Sequence, residues 1–117
     1  MSTYEEDCIF CKIAAGAFGT TFAAESDRAV AFDDLAPQAP VHVLVVPKTH
    51  VASIAALGEG DGDLLADMVA LANQVARDRD IDASGYRLLT NVGPHAGHTV
   101  FHLHMHLLGG KELGPLA

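Results

Sequence analysis

Basic residues are scarce: seven Lys and Arg stand against fifteen Asp and Glu, for a formal net charge of −8. So acidic a chain has no extended positive surface to neutralise a run of phosphates, which argues against polymeric nucleic acid as a partner. A single phosphate on a small molecule remains open, because backbone N–H groups and imidazoles hold it locally. Long apolar runs are missing too, and no stretch approaches the roughly 18 residues that a membrane span needs. Met1 to Asp7 are polar and acidic, not a basic segment followed by an apolar one. The expectation is a cytoplasmic protein with no targeting segment and no membrane contact. Repeats and low-complexity tracts are lacking, and Gly and Pro punctuate periodic segments instead of forming a linker. With 117 residues, half of them apolar, one core fits and a second ordinary domain does not, so a single domain over 1–117 is expected.

What is present reads as strands around one long helix. Ile9 to Ala15 forms a short helix ended by Gly16, and Thr21–Ala24 and Ala29–Phe32 flank a turn at Glu25 to Arg28. Val41 to Val46 is a β-branched strand stopped by Pro47. From Asp61 to about Asp80, Leu64, Leu65, Met68, Val69, Leu71, Ala72, Val75 and Ala76 recur at helical spacing, with Gly85 beyond. That stripe is broad, so it either packs wholly on its own sheet or partly faces a second subunit. Tyr86–Asn91 and Val100–Leu108 are two further strands, joined by a loop over 92–99. Strands before and after a helix, without strict alternation, indicate an α+β fold with an antiparallel sheet.

The last of these strands carries the chemistry. His102, His104 and His106 alternate with Phe101, Leu103, Met105 and Leu107, so a strand would place the imidazoles on one face and the apolar groups on the other. Neighbouring imidazoles would lie roughly 6.5–7 Å apart, too far for all three to ligate one metal ion easily. A solvated histidine face, or a fragment of a metal site, is the plainer reading of such a strand. A neutral imidazole attacks phosphorus through one ring nitrogen when the other gives its proton to an acceptor. His104, in the middle, is best placed for that role, with groups on both sides able to bind nonbridging oxygens. Just upstream, Gly97 lets backbone approach a phosphate, and the Thr99 hydroxyl and neighbouring N–H groups add donors.

Cys8 and Cys11 form a single Cys-x-x-Cys. One pair is too few for a zinc ribbon, and no surrounding βαβ pattern favours a thioredoxin-like motif, so redox activity and simple burial both stay open.

Taken together, these motifs resemble the histidine triad family, and within it the Hint branch of nucleotide-binding proteins. The resemblance runs from Cys8-Ile9-Phe10-Cys11-Lys12-Ile13, through Pro37-Gln38-Ala39-Pro40-Val41-His42 and Val45-Val46-Pro47-Lys48-Thr49-His50, to the triad and Leu107-Leu108-Gly109-Gly110. It implies a sheet of about five strands with one long and one or two short helices, dimerised through the long helix and the sheet. It also implies hydrolysis of purine nucleoside phosphoramidates or related nucleoside 5′-phosphoryl compounds through a nucleotidyl-histidine on His104. His106 and His42 would assist at the phosphate, with Thr99 and the backbone from Gly97 to Val100 on its oxygens. Asp34 would accept from the ribose hydroxyls, Asn91 would lie near ribose and phosphate, and Ile9, Phe10, Ile13, Phe32, Leu35 and Val43 would form the base slot. Without the resemblance, Asp34 reads equally well as a turn residue and the six apolar residues as core.

Some bacterial members of the family hold a structural zinc on residues matching Cys8, Cys11, His50 and His102, a closed four-ligand set that plays no part in the chemistry. His98 departs from the pattern, standing where many relatives have Gln, and is either a proton donor to the leaving group or a hydrogen-bonding replacement. His95 reads as an exposed loop residue. Two other functions fit the same motifs: a dinucleoside polyphosphate hydrolase of the Fhit branch, and a non-catalytic zinc-stabilised regulatory module that binds nucleotide. The Cys-x-x-Cys opening and the Gly-x-Thr loop favour the Hint-like reading over the Fhit branch.

Overall fold

The structure, a computed structural model, describes residues 4–116; Met1 to Thr3 and Ala117 of the expected 1–117 domain lie outside the described residues. The elements run α1 (Ile9–Ala14), β1 (Ala24–Glu25), β2 (Ala29–Asp33), β3 (Val41–Pro47), α2 (Gly62–Asp78), β4 (Tyr86–Leu89) and β5 (Met105–Gly109). Short 3₁₀ turns at Ile54–Ala56, Glu59–Asp61 and Pro94–Ala96 fill the connections. The strands form one antiparallel sheet in the order β1-β2-β3-β5-β4, the α+β architecture expected from the sequence. No helix among the described residues is long and apolar enough to cross a membrane.

Strand alternation divides the sheet into two working faces. Ala29 and Ala31 of β2, Val43 and Val45 of β3, and Met105 and Leu107 of β5 turn toward α2, where Met68, Leu71, Ala72, Val75 and Ala76 complete the main core. Leu64, Leu65 and Val69, the rest of the broad stripe, pack partly buried against that same core. Each large side chain buried there contributes about 1.5–3 kcal/mol. On the opposite face Val30, Phe32, Leu44 and Val46 gather around Phe10 of α1. This second face carries the site, and α1 is the only helix on it among the described residues.

Several predicted boundaries shift, and one shift matters. The first strand is Ala24–Glu25, not Thr21–Ala24, and the fourth ends at Leu89, not Asn91. The strand expected over Val100–Leu108 begins only at Met105. The cause lies in where the backbone groups go. The Leu103 N–H donates to the Val51 carbonyl at 2.6 Å, the His102 carbonyl accepts from the His104 ring, and the His104 carbonyl accepts from the Thr90 hydroxyl. Those groups are unavailable to a ladder with β3, and the Pro47 carbonyl at the end of β3 accepts from the His102 ring. Two of the three histidines therefore precede the strand. The apolar alternation survives for Leu103, Met105 and Leu107, but Phe101, expected on that face, is 62% exposed.

Candidate active site

Backbone partners fix the protonation pattern of the imidazoles. His104 Nδ1 lies 2.7 Å from the His102 carbonyl oxygen, which can only accept, so the proton sits on Nδ1 and Nε2 keeps its lone pair. His104 is 9% exposed, and its ring meets that of Phe10 edge-on with centroids 5.0 Å apart. Burial pushes its pKa below the usual histidine value, and the neighbouring His98 pushes the same way.

A second chain of contacts sets His106. The Gln38 backbone N–H donates to His42 Nδ1 at 3.0 Å, so His42 carries its proton on Nε2 and donates it to His106 Nδ1 at 2.9 Å. His106 must then carry its own proton on Nε2. Burial, with His104 and His42 adjacent, pushes the His106 pKa down to about 4, which keeps the ring neutral near pH 7. The ring centroids of His104 and His106 are 5.0 Å apart, closer than the strand repeat suggested, with the two rings inclined at 62°. The pair thus places a bare Nε2 beside an Nε2–H donor: one lone pair and one hydrogen-bond donor.

Asp34 Oδ2 lies 3.5 Å from His42 Nε2, and Asp34 Oδ1 accepts from the Ala36 N–H at 2.8 Å. Asp34 is therefore both the turn residue of the plainer reading and a wall of the adjoining cavity. That cavity, about 230 Å³, is lined by Ile9, Phe10, Ile13, Phe32, Leu35 and Leu44, with Asp34 and Thr20 at its polar margin. Five of the six expected slot residues are there. Val43 is not: it faces α2 and is fully buried in the main core. Leu44, one residue on, takes its place. The signal was present in the alternation, since Phe32 pairs with Leu44 and so shares its face.

The loop before the triad turns at Gly97, whose φ of +81° is open to glycine without strain. Thr99 is exposed beside it, and Val100 is half-buried against the α1-side core. His98 is buried, and its Nδ1 accepts from the Gly93 N–H at 3.2 Å while its own N–H donates to the Gly93 carbonyl at 3.0 Å. The side chain thus ties the loop closed and keeps an Nε2–H, with its ring 4.8 Å from Phe101 and 6.0 Å from His104. His95 is exposed, as expected. Asn91 lies just beyond β4, half-buried, and its neighbour Thr90 makes the contact to the triad, donating to the His104 carbonyl at 2.7 Å. No motif singles out Thr90 in the sequence.

Cys8, Cys11, His50 and His102 bring one ligand atom each within 4.8 Å of one another. Within this group Cys8 Sγ lies 3.2 Å from His102 Nδ1, and Cys11 Sγ lies 3.3 Å from His50 Nδ1 and 3.4 Å from His102 Nδ1. A tetrahedral zinc with bonds of about 2.3 Å to sulfur and 2.0–2.1 Å to nitrogen has sulfur–nitrogen edges of roughly 3.5 Å, so the set fits. The His102 tautomer fits as well. Its Nε2 faces the Pro47 carbonyl at 2.9 Å and must donate, which leaves Nδ1 as a lone pair turned to the sulfurs. Burial raises the Cys11 thiol pKa and lowers that of His102 to about 4, so both groups favour neutral forms until a cation stabilises the thiolate. A second group, Asp34, His42 and His106, is already accounted for by the ordered donor and acceptor roles above.

Comparison with known proteins agrees with this arrangement. A family described as scavenger mRNA decapping enzyme C-term binding matches residues 7–115. A purine nucleoside phosphoramidase of Escherichia coli K12 is 36% identical over 111 residues, 95% of this chain and 93% of that protein. An uncharacterized HIT-like protein of Synechocystis is 42% identical over 106 residues, 91% of this chain and 92% of its own. Among solved structures, a HIT family hydrolase from Clostridium thermocellum superposes with a TM-score of 0.91 at 48% identity, covering 95% of this chain and 96% of its own. A histidine triad protein from Clostridium difficile gives 0.91 at 41%, covering 97% and 98%. The fold and the imidazole cluster define a nucleotide hydrolase of the histidine triad class. The chain belongs to the histidine triad family.

Proposed function

We propose that this protein cleaves purine nucleoside 5′-phosphoramidates, and related nucleoside 5′-phosphoryl compounds, through a covalent intermediate on His104. The observation that carries this reading is the 2.7 Å hydrogen bond from His104 Nδ1 to the His102 carbonyl, which leaves Nε2 of a buried, neutral imidazole free to attack. In the first step His104 Nε2 forms a bond to the α-phosphorus while the bond from phosphorus to the leaving group breaks. The leaving group takes up a proton from solvent as it departs, and the water of the second step returns one to solvent. In the second step water adds to phosphorus, the phosphorus–nitrogen bond breaks, and His104 is regenerated.

The other residues take roles that match their fixed protons. His106, held as a donor by His42, stabilises the charge that grows on the phosphate oxygens, with the Thr99 hydroxyl and the backbone from Gly97 to Val100 beside it. His98 presents an Nε2–H toward the leaving-group side. Asp34 accepts from the ribose hydroxyls, Asn91 lies near ribose and phosphate, and Ile9, Phe10, Ile13, Phe32, Leu35 and Leu44 hold the purine. Cys8, Cys11, His50 and His102 hold a structural zinc, which supplies cross-linking of α1 to the triad segment and no catalytic step. Cys8 and Cys11 are not joined in a disulfide, which suits a reducing compartment, the cytoplasm. Two copies associate through α2 and the sheet. Support comes from β4, an edge strand whose outer groups offer a pairing template, and from its exposed Tyr86.

Wild type and His104→Ala compared on adenosine 5′-phosphoramidate and on a diadenosine polyphosphate test the reading. It expects turnover of the phosphoramidate by wild type alone. Equal turnover by both proteins would remove His104 as nucleophile, and preference for the dinucleotide would move the protein to the rival branch.

A further inference from the structure

His102 stands between the cysteines and the nucleophile, and each of its polar groups serves a different neighbour. Its Nδ1 lies 3.2 Å from Cys8 Sγ and 3.4 Å from Cys11 Sγ, its Nε2–H donates to Pro47, and its backbone carbonyl receives the His104 Nδ1–H. The residue is fully buried, so a displacement of its ring moves the carbonyl that orients the nucleophile. The α1 helix makes the same connection by a second route. Cys8 caps the helix by accepting from the Cys11 N–H, and Cys11 lies within it. Phe10, between them, turns its ring edge-on to both His102, at 6.0 Å, and His104, at 5.0 Å. Ile9, Phe10 and Ile13 of that helix also wall the cavity.

We infer that the Cys8, Cys11, His50 and His102 group is a positioning device for catalysis: metal bound there holds His104 in the tautomer that attacks and holds α1 as a wall of the nucleotide cavity. His102 is thus a positioning residue, acting through His104. The inference rests on the zinc reading above and extends it. A metal treated only as a staple changes stability, whereas this arrangement makes metal and nucleotide affinity depend on each other. Such coupling is reciprocal: whatever factor zinc adds to nucleotide affinity, nucleotide must add to zinc affinity.

The test uses the zinc-loaded protein, a cadmium-loaded form and the metal-free form. Long-range ¹H–¹⁵N spectra of the histidine rings report the His104 tautomer, calorimetry with AMP reports affinity, and circular dichroism reports folding. Zinc should bind one per chain. The loaded protein should show His104 protonated on Nδ1 alone, and a folded metal-free form should show mixed tautomers with AMP bound about five- to tenfold more weakly. Should metal removal unfold the chain, the zinc and cadmium forms carry the comparison, since the larger ion must shift the His104 ring signals and the AMP affinity. Identical His104 signals and AMP affinity between the folded forms would overturn the coupling and leave the zinc reading standing. Failure to bind zinc at all would overturn both.

Discussion

His104 donates its Nδ1–H to the carbonyl of His102, two residues earlier in the same chain, at 2.7 Å. An imidazole oriented by its own backbone needs no carboxylate partner to fix its tautomer. The contact is possible because the chain has not yet entered β5, so the His102 carbonyl is free of the ladder. The Thr90 hydroxyl secures the next turn of the same segment by donating to the His104 carbonyl. Thr90→Val should leave a buried carbonyl without that donor and cost about 1–3 kcal/mol of stability. Urea denaturation measures the loss, and kcat should fall with it because the His104 backbone is no longer held. Unchanged kcat and stability would make the contact incidental.

The relay from Gln38 through His42 to His106 makes a separate prediction. His42→Ala removes the donor that forces the His106 proton onto Nε2. A loss of about 10–100-fold in kcat/KM is expected, by analogy with partners that orient metal-bound histidines. His106→Ala should lose at least as much. If His42→Ala matched wild type, the His106 tautomer would be set by something else.

Protonation gives a third. His106 falls to about 4 in the folded protein, against an ordinary value of about 6.5 in the unfolded chain. Between those values the unfolded state binds a proton that the folded state refuses, so stability is complete above pH 6.5 and declines as pH falls toward 4. His104 is shifted in the same direction. The acid limb of kcat/KM should accordingly lie below pH 6.5, not at it. A midpoint at or above 6.5 would contradict the burial argument.

Much of this was legible in the sequence because the signals are local. The 3.6-residue stripe from Leu64 to Ala76 and the β-branched run Val41 to Val46 each named their element, and the spacing of the histidines marked the segment that forms the imidazole cluster. What escaped was long-range. Nothing in Val100 to His104 shows that Val51 and Thr90 will take its backbone groups and keep it out of the sheet. The family resemblance implies Val43 for the slot, whereas strand parity, taken with Phe32, selects Leu44. The His102 Nδ1 orientation depends on the Pro47 carbonyl, 55 residues away, which no motif records.

That parity is itself testable. Leu44→Ala should weaken AMP binding and also cost about 2–5 kcal/mol of stability, since Leu44 belongs to both the cavity wall and the α1-side core. Met68→Ala, on the α2 face, should cost a similar amount with AMP affinity unchanged. Calorimetry and urea denaturation on the same samples separate the two. Equal AMP affinity in both variants would deny Leu44 its place in the slot.

Covalent catalysis by His104 is tested most directly by trapping. Wild-type protein mixed with adenosine 5′-phosphoramidate and acid- or base-quenched within the first turnover should yield, by peptide mass mapping, one adenylyl group on the peptide containing the triad, at His104. Adenylate found on His106, His42 or His98 instead, or His104→Ala turning over at the wild-type rate, would contradict the mechanism.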